Sequence, residues 1–227
     1  MTPRRARGAG SSFFALLAVV GLAVVGLGMA TIAAAAPPDP IPQHAWAAAQ
    51  SLPLADTEHW PDLASVAEPL DGRPFFAEEI CGFNPSPKRQ FSSDQARARV
   101  DQGPGKWSLQ QQIVHFPGEA ASSSERAGAL FSSVVDALAR CPAQVPGAAV
   151  DVTTQPGSCA PQRCTQTAAV VRTPDGVTAH VYLAVAGGSV AELTVFSAGA
   201  PDVPWVAPAD DAVLAAIIGP VCATWEC

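Results

Sequence analysis

The sequence predicts an α+β fold, in which one antiparallel sheet of about five strands carries its helices on one face. Three observations support this prediction. Residues 178–186 place Val181, Leu183 and Val185 at alternate positions, and Gly187-Gly188 follow as the turn of a β-hairpin that residues 189–197 complete. Residues 122–141 repeat their apolar side chains at helical spacing. Residues 210–218 begin with two aspartates and are followed by Gly219-Pro220, which are typical start and stop signals of a helix.

The N-terminus predicts export. Arg4, Arg5 and Arg7 precede an apolar segment with no charged residue before Asp39. A basic start, an apolar run and small residues at its end are typical of a secretory signal, with cleavage after Ala35. The run is also long enough, at more than about 18 residues, to remain as a membrane anchor through residues 13–36. Both alternatives place the rest of the chain outside the cytoplasm, either secreted or attached to the cell envelope.

The charge balance argues against one class of partner. Without residues 1–35 the chain keeps 10 basic and 20 acidic residues, a net charge of −10 over 192 residues. Nucleic acids and acidic membrane surfaces attract proteins of the opposite charge. We therefore expect no nucleic-acid partner.

The chain is predicted to form one domain behind a short linker. Residues 1–36 are the signal peptide or anchor, and residues 37–53, which begin PPDPIPQ, are a Pro/Ala-rich linker. Residues 54–227 are long enough for a single domain. Within it, residues 81–106 are polar and contain several prolines and glycines, which predicts a loop or an irregular strand.

The remaining elements follow in the order β-α-β-β-β-β-α. The first strand is KWSLQQQIVHF, residues 106–116. Ser122 and Glu125 form a capping-box signature at the start of the long helix. Cys141 lies on the apolar face of this helix, and Pro142 is expected to end it. The next four strands are predicted at residues 148–154, 165–172, 178–186 and 189–197, and the last helix at 210–218.

Six cysteines, all in the exported part, predict three disulfides. Four of them form two hexapeptides, CAPQRC (Cys159 and Cys164) and CATWEC (Cys222 and Cys227). Their spacing lies at the edge of the range for structural zinc and does not fit a thioredoxin-like centre. Local pairing suits the hairpin position of the first hexapeptide, but pairing between the two hexapeptides remains an alternative. A continuing helix would hold Cys222 and Cys227 too far apart to pair.

One stretch resembles a known family. The sequences CGFNPSPKRQ and KWSLQQQIVHFPGEAASSSERAGALFSSVVDALARCP are similar to the PknH-type extracellular sensor domain family, which occurs in actinobacteria as kinase ectodomains and as stand-alone secreted proteins or lipoproteins. The resemblance implies an α+β fold with a ligand-binding groove and no assigned catalytic residues. It also implies a disulfide between Cys81 and Cys141, which the position of Cys141 on the apolar helix face supports.

The sequence contains no recognisable catalytic, metal or cofactor motif. Its four histidines show no metal-ligand spacing, and no Gly-x-Ser-x-Gly elbow is present. Residues 88–106 carry a local charge of +3, which makes Arg97, Arg99 and Lys106 candidates for binding an anionic ligand, although a solvated loop would show the same charges. Trp205 and Trp225 lie in loop-like contexts, where they could line a groove.

These observations favour an exported, non-enzymatic sensor-like domain that binds a small ligand or a component of the cell envelope. Two alternatives remain. One is an envelope hydrolase whose site is assembled from distant residues, and the other is a structural or protein-interaction module. A concave pocket with converging titratable groups would favour the enzyme, and an apolar groove without them would favour ligand binding. The ligand and the oligomeric state do not follow from the sequence.

Overall fold

The computed structural model of the 227-residue chain describes residues 40–83, 93–159 and 164–227, without the side chains of residues 158 and 159. The predicted signal peptide or anchor, residues 1–36, lies outside the described residues. None of the described helices is long and apolar enough to cross a membrane.

The protein has an α+β fold built on one antiparallel sheet, as the sequence predicts. The sheet has seven strands rather than about five, in the order β1-β2-β3-β7-β6-β5-β4, with every neighbouring pair antiparallel. The strands are β1 (Ala67–Pro69), β2 (Asp94–Val100), β3 (Ser108–His115), β4 (Ala149–Cys159), β5 (Cys164–Arg172), β6 (Val177–Ala186) and β7 (Ser189–Ala198).

The two additional strands lie in segments without a strong strand signal. In β2, Ala96 and Ala98 face one core while Arg97 and Arg99 point to the other side of the sheet. Alanine is depleted in strands, so this alternation resembles a polar loop when only the sequence is considered. Pairing with β3, in which Ala96 opposes Ile113, holds the segment in the sheet. Residues 81–106 were predicted to be a loop or an irregular strand, and β2 within them is instead a regular, fully paired strand.

Four α-helices accompany the sheet. They are α1 (Ala55–Glu58), α2 (Phe76–Ile80), α3 (Ala120–Gln144) and α4 (Asp210–Trp225), and short 3-10 helices span Gln43–Ala45, Ala49–Ser51 and Leu63–Val66. The two long helices pack on opposite faces of the sheet, with α4 on one core and α3 on the other.

The prediction that the helices share one face is therefore wrong. Strand β6 shows the physical reason, since its residues are apolar on both sides. Tyr182 and Ala184 belong to the core under α4, whereas Val181 and Leu183 belong to the core under α3. A sheet with two apolar faces needs cover on both.

Both long helices extend past the prolines that were expected to end them. Helix α3 includes Pro142, and α4 includes Pro220. Each proline removes one backbone donor near the C-terminal end, where the helix loses a single hydrogen bond. The start of α3 also differs, because Glu119 accepts from the N–H groups of Ala121 and Ser122 and so serves as the N-cap.

The segment predicted as a linker over residues 37–53 packs into the domain from residue 41 onward. Ile41, Trp46 and Leu52 are buried in the same core as α4. The Ala47 N–H donates to Gln111 Oε1 on β3 at 3.2 Å. These residues are therefore part of the folded domain, because their apolar side chains complete the core on the α4 face.

The hairpin between β6 and β7 crosses the start of α3 at close range. A Cβ atom added to Gly188 would lie 2.8 Å from Ser123 Cβ and 2.9 Å from Phe116 O. Gly187 has a φ of +50°, as the first position of a primed two-residue hairpin turn requires. Glycine at position 188 therefore lets α3 lie against the edge of the hairpin.

Candidate ligand-binding site

Two disulfides connect elements around the α3 face and the C-terminus. Cys81, at the end of α2, is bonded to Cys141 in α3, with their Cα atoms 4.7 Å apart. Cys222 is bonded to Cys227, with a Cα separation of 4.8 Å. Helix α4 ends at Trp225, and the left-handed backbone of Glu226 turns the chain back toward Cys222. This reversal removes the distance problem that a continuing helix would cause.

These two bonds exclude pairing between the hexapeptides. Cys164 also takes part in a disulfide, and the strand register places Cys159 directly opposite it. The side chain of Cys159 lies outside the described residues, so the Cys159–Cys164 bond stays a prediction. Disulfides of this kind form and persist in oxidising compartments, which agrees with an extracytoplasmic location.

The five predicted ligand-binding residues do not converge on one site. Arg97 and Arg99 line a cleft of about 590 Å³ beside β1. Trp205 lines a separate pocket of about 440 Å³, and Trp225 lines a third cleft of about 890 Å³. Lys106 lies in the β2–β3 connection, where its positive charge partly offsets the rise that burial causes in the pKa of Glu58.

The arginine cleft already contains balancing charges. Arg97 Nη2 lies 3.0 Å from Glu79 Oε1, and Arg99 Nε lies 2.8 Å from Asp101 Oδ2. The Arg97 guanidinium also donates to Gln112 Oε1 and to the Pro74 carbonyl. With most of these donors bound to protein acceptors, an additional anion would have to displace internal contacts.

The Trp205 pocket brings titratable groups together, which the hydrolase alternative requires. Its lining includes His180, Tyr182 and Asp210. However, the His180 ring stacks on Trp205 with centroids 3.5 Å apart, and burial lowers the pKa of His180 to about 4. Asp210 accepts from Thr154 Oγ1 at 2.8 Å and is hydrogen-bonded to Tyr182, whose pKa is raised mainly by burial. The polar groups of this pocket are thus hydrogen-bonded to one another. The neutral imidazole of His180 packs against the rings of Trp205 and Trp107.

The third cleft lies between the start of α3, the β6–β7 hairpin and the C-terminal disulfide. Trp225 stacks on His115 at a centroid distance of 4.2 Å, and His115 Nδ1 lies 2.8 Å from Ser189 Oγ. Burial lowers the pKa of His115. Trp225 therefore contributes a wall of this cleft that is already packed against the sheet.

A fourth pocket, which the sequence did not predict, lies between α3 and the sheet. We call it the α3 pocket; its volume is about 250 Å³, and it is lined by Gly72, Arg73, Phe75, Gln95, Val114, Phe116, Arg126, Ala129, Leu130 and Ser133. Most of these side chains are apolar. Among the described residues, no carboxylate and no histidine lines the pocket, whereas two arginines do.

A buried carboxyl group positions one wall of the α3 pocket. Glu192 on β7 is fully buried and accepts from the N–H groups of Phe76 and Ala77, at 2.9 and 3.3 Å. These contacts fix the first turn of α2 directly after Phe75, which lines the pocket. Burial raises the pKa of Glu192 to about 8, with the nearby Glu78 adding to the effect.

The residues that line the α3 pocket come from four short segments that are distant in the sequence. Residues 72–75 precede α2, Gln95 lies on β2, Val114 and Phe116 lie at the end of β3, and residues 126–133 lie on α3. No spacing in the sequence joins them, since the sheet and the Cys81–Cys141 bond bring them together. The described residues also contain no cluster of histidine, cysteine or acidic side chains that could hold a metal ion.

Comparisons with known proteins include a distant structural likeness. No family model matches the chain, and no curated protein matches it. The X-ray structure of an uncharacterised Rv0999 ortholog from Mycobacterium smegmatis is similar to it with a TM-score of 0.33 and 13% sequence identity, over 69% of this chain and 84% of that one.

Proposed function

We propose that this chain is an exported, non-enzymatic sensor-like domain that binds a small apolar ligand in the α3 pocket. The observation that carries the proposal is the composition of that pocket, an apolar concavity without imidazole or carboxylate groups among its described lining residues. Concave, mostly apolar sites with a few polar groups are typical of small-molecule binding. The resemblance of residues 81–142 to PknH-type sensor domains supports the same function.

The hydrolase alternative has weaker support. It would use the Trp205 pocket, where His180 must act as a base although its ring is stacked on Trp205. The carboxylate that could orient it, Asp210, is instead hydrogen-bonded to Thr154 and Tyr182. An imidazole with a pKa of about 4 is a weak base, which argues against this role.

Filling the α3 pocket should weaken the binding of an apolar probe. Leu130 is half-buried on α3, so Leu130→Trp places an indole into the cavity. We expect the affinity for a neutral naphthylamine dye, measured by its fluorescence increase, to fall at least about tenfold, because the dye and the indole would compete for the same volume.

Val206→Trp provides the matched control. Val206 is 63% exposed and lines the Trp205 pocket, so this variant adds the same side chain at a different concavity. Dye binding should be unchanged in it. Loss of dye binding in Val206→Trp but not in Leu130→Trp would place the binding site beside His180 and refute the proposal.

A further inference from the structure

We propose that the ligand of the α3 pocket is a single-chain anionic amphiphile, a fatty acid, whose acyl chain enters the pocket and whose carboxylate contacts Arg73 and Arg126. This inference rests on the proposed function. It adds the chemical class of the ligand, which neither the pocket volume nor the fold specifies.

The two arginines of the pocket lack the carboxylate partners that Arg97 and Arg99 have. Arg97 and Arg99 are each paired with an acidic side chain. In the described part of the chain, the Arg73 guanidinium has no hydrogen-bond or ion-pair partner, and only its backbone carbonyl accepts a bond, from Gln112.

The Arg126 side chain is held by several contacts, but one of its nitrogen atoms, Nη1, has no acceptor among the described residues. Its Nε donates to Ser122 O at 3.3 Å, and its Nη2 donates to Pro117 O at 3.0 Å. Its guanidinium carbon lies 5.3 Å from the centre of the Phe116 ring. These contacts leave Nη1 without an acceptor among the described residues, while the side chain is fixed by the loop before α3 and by the aromatic ring.

The position of the charges selects the class of ligand. Arg73 and Arg126 line the same pocket as Phe75, Val114 and Leu130, so two arginines adjoin an apolar cavity. Guanidinium groups match the geometry of carboxylates and are more weakly hydrated than ammonium groups, which suits a site beside apolar walls. An uncharged apolar ligand would leave both groups without a partner.

The volume selects a narrow chain rather than a bulky lipid. About 250 Å³ corresponds to roughly eight water molecules at about 30 Å³ each. A medium-length acyl chain fills such a space, whereas a diacyl lipid would leave one chain outside.

The test compares decanoate with decanol by isothermal titration calorimetry on the full chain. The two ligands share the acyl chain and differ in charge. We expect decanoate to bind about tenfold more tightly than decanol. Octanoate should bind about fifteenfold more weakly than decanoate, since each of the two additional methylenes contributes about fourfold in affinity.

Arginine variants then locate the charge contact. Arg73→Gln and Arg126→Gln should each weaken decanoate binding about three- to tenfold and leave decanol binding unchanged. Arg140→Gln is the matched control, because Arg140 is exposed on the same helix and does not line the pocket. This variant should bind both ligands as the parent does.

The outcomes separate this inference from the proposed function. If decanol and decanoate bind equally, lose binding in Leu130→Trp and ignore both arginine variants, the fatty-acid inference is refuted while the α3 pocket remains the ligand site. If neither ligand responds to Leu130→Trp, the pocket is not the site, and both proposals fail. Selective loss of decanoate binding in both arginine variants is the result that supports the inference.

Discussion

Replacing Cys81 and Cys141 together with alanine is expected to lower the free energy of unfolding by about 4 kcal/mol, the value that the chain-entropy model gives for a loop of this length. The bond closes a loop of 60 residues and joins the end of α2 to α3. Both sulfur atoms lie in the core under α3, so alanine avoids burying a new polar group. Urea denaturation at constant pH measures the difference.

The second disulfide provides the matched control for this prediction. Cys222 and Cys227 are five residues apart, so the same model gives a loss of about 2 kcal/mol when both become alanine. Equal losses for the two double variants would contradict the loop-length account.

The Cys81–Cys141 variant should also weaken dye binding, because it releases α2, which adjoins Phe75 in the α3 pocket.

Glu192 should make the stability of the protein depend on pH. Its pKa is about 8 in the folded protein, and its ordinary value is 4.5. Between these values the folded state holds a proton that the unfolded state has released, so stability falls as the pH rises from about 4.5 to about 8. The slope should be on the order of 1 kcal/mol per pH unit within that window.

Glu192→Gln should remove most of this slope. The glutamine amide oxygen can still accept from the Phe76 N–H, but its amide nitrogen cannot accept from Ala77. We therefore expect the variant to be about 1 kcal/mol less stable than the parent near pH 5 and more stable near pH 9. Denaturation curves across this range would show the two stability profiles crossing.

Glu68→Gln is the control for the pH experiment. Glu68 is exposed on β1, so its replacement should leave the slope intact. A parent protein whose stability is constant from pH 5 to pH 8 would contradict the assignment of a protonated Glu192. An unchanged slope in Glu192→Gln would attribute the pH dependence to another group.

The sequence predicts the regular parts of the fold because local patterns determine them. The β6–β7 hairpin appears at its predicted position, since its strand-forming residues and the Gly187-Gly188 turn act within a few residues. Strand β2 could not be recognised, because its alanines enter the sheet only through pairing with β3. The placement of α3 and α4 on opposite faces likewise depends on the whole sheet.

The candidate site was harder to predict for a related reason. Arg97 was expected to bind an anion, but the fold pairs it with Glu79, 18 residues away. Arg73 and Arg126 appear unremarkable in the sequence, and they become notable when α3 places them on one pocket without a described carboxylate. Charge balance at a site is set by tertiary contacts, which spacing along the chain does not reveal.

Intermolecular NMR contacts between decanol and the methyl groups of the full chain test the central claim most directly. If the α3 pocket is the ligand site, saturating decanol should give nuclear Overhauser effects to the methyl groups of Val114 and Leu130, which line it. Contacts to Val206 instead, or no contacts to the α3 pocket at saturation, would contradict the claim.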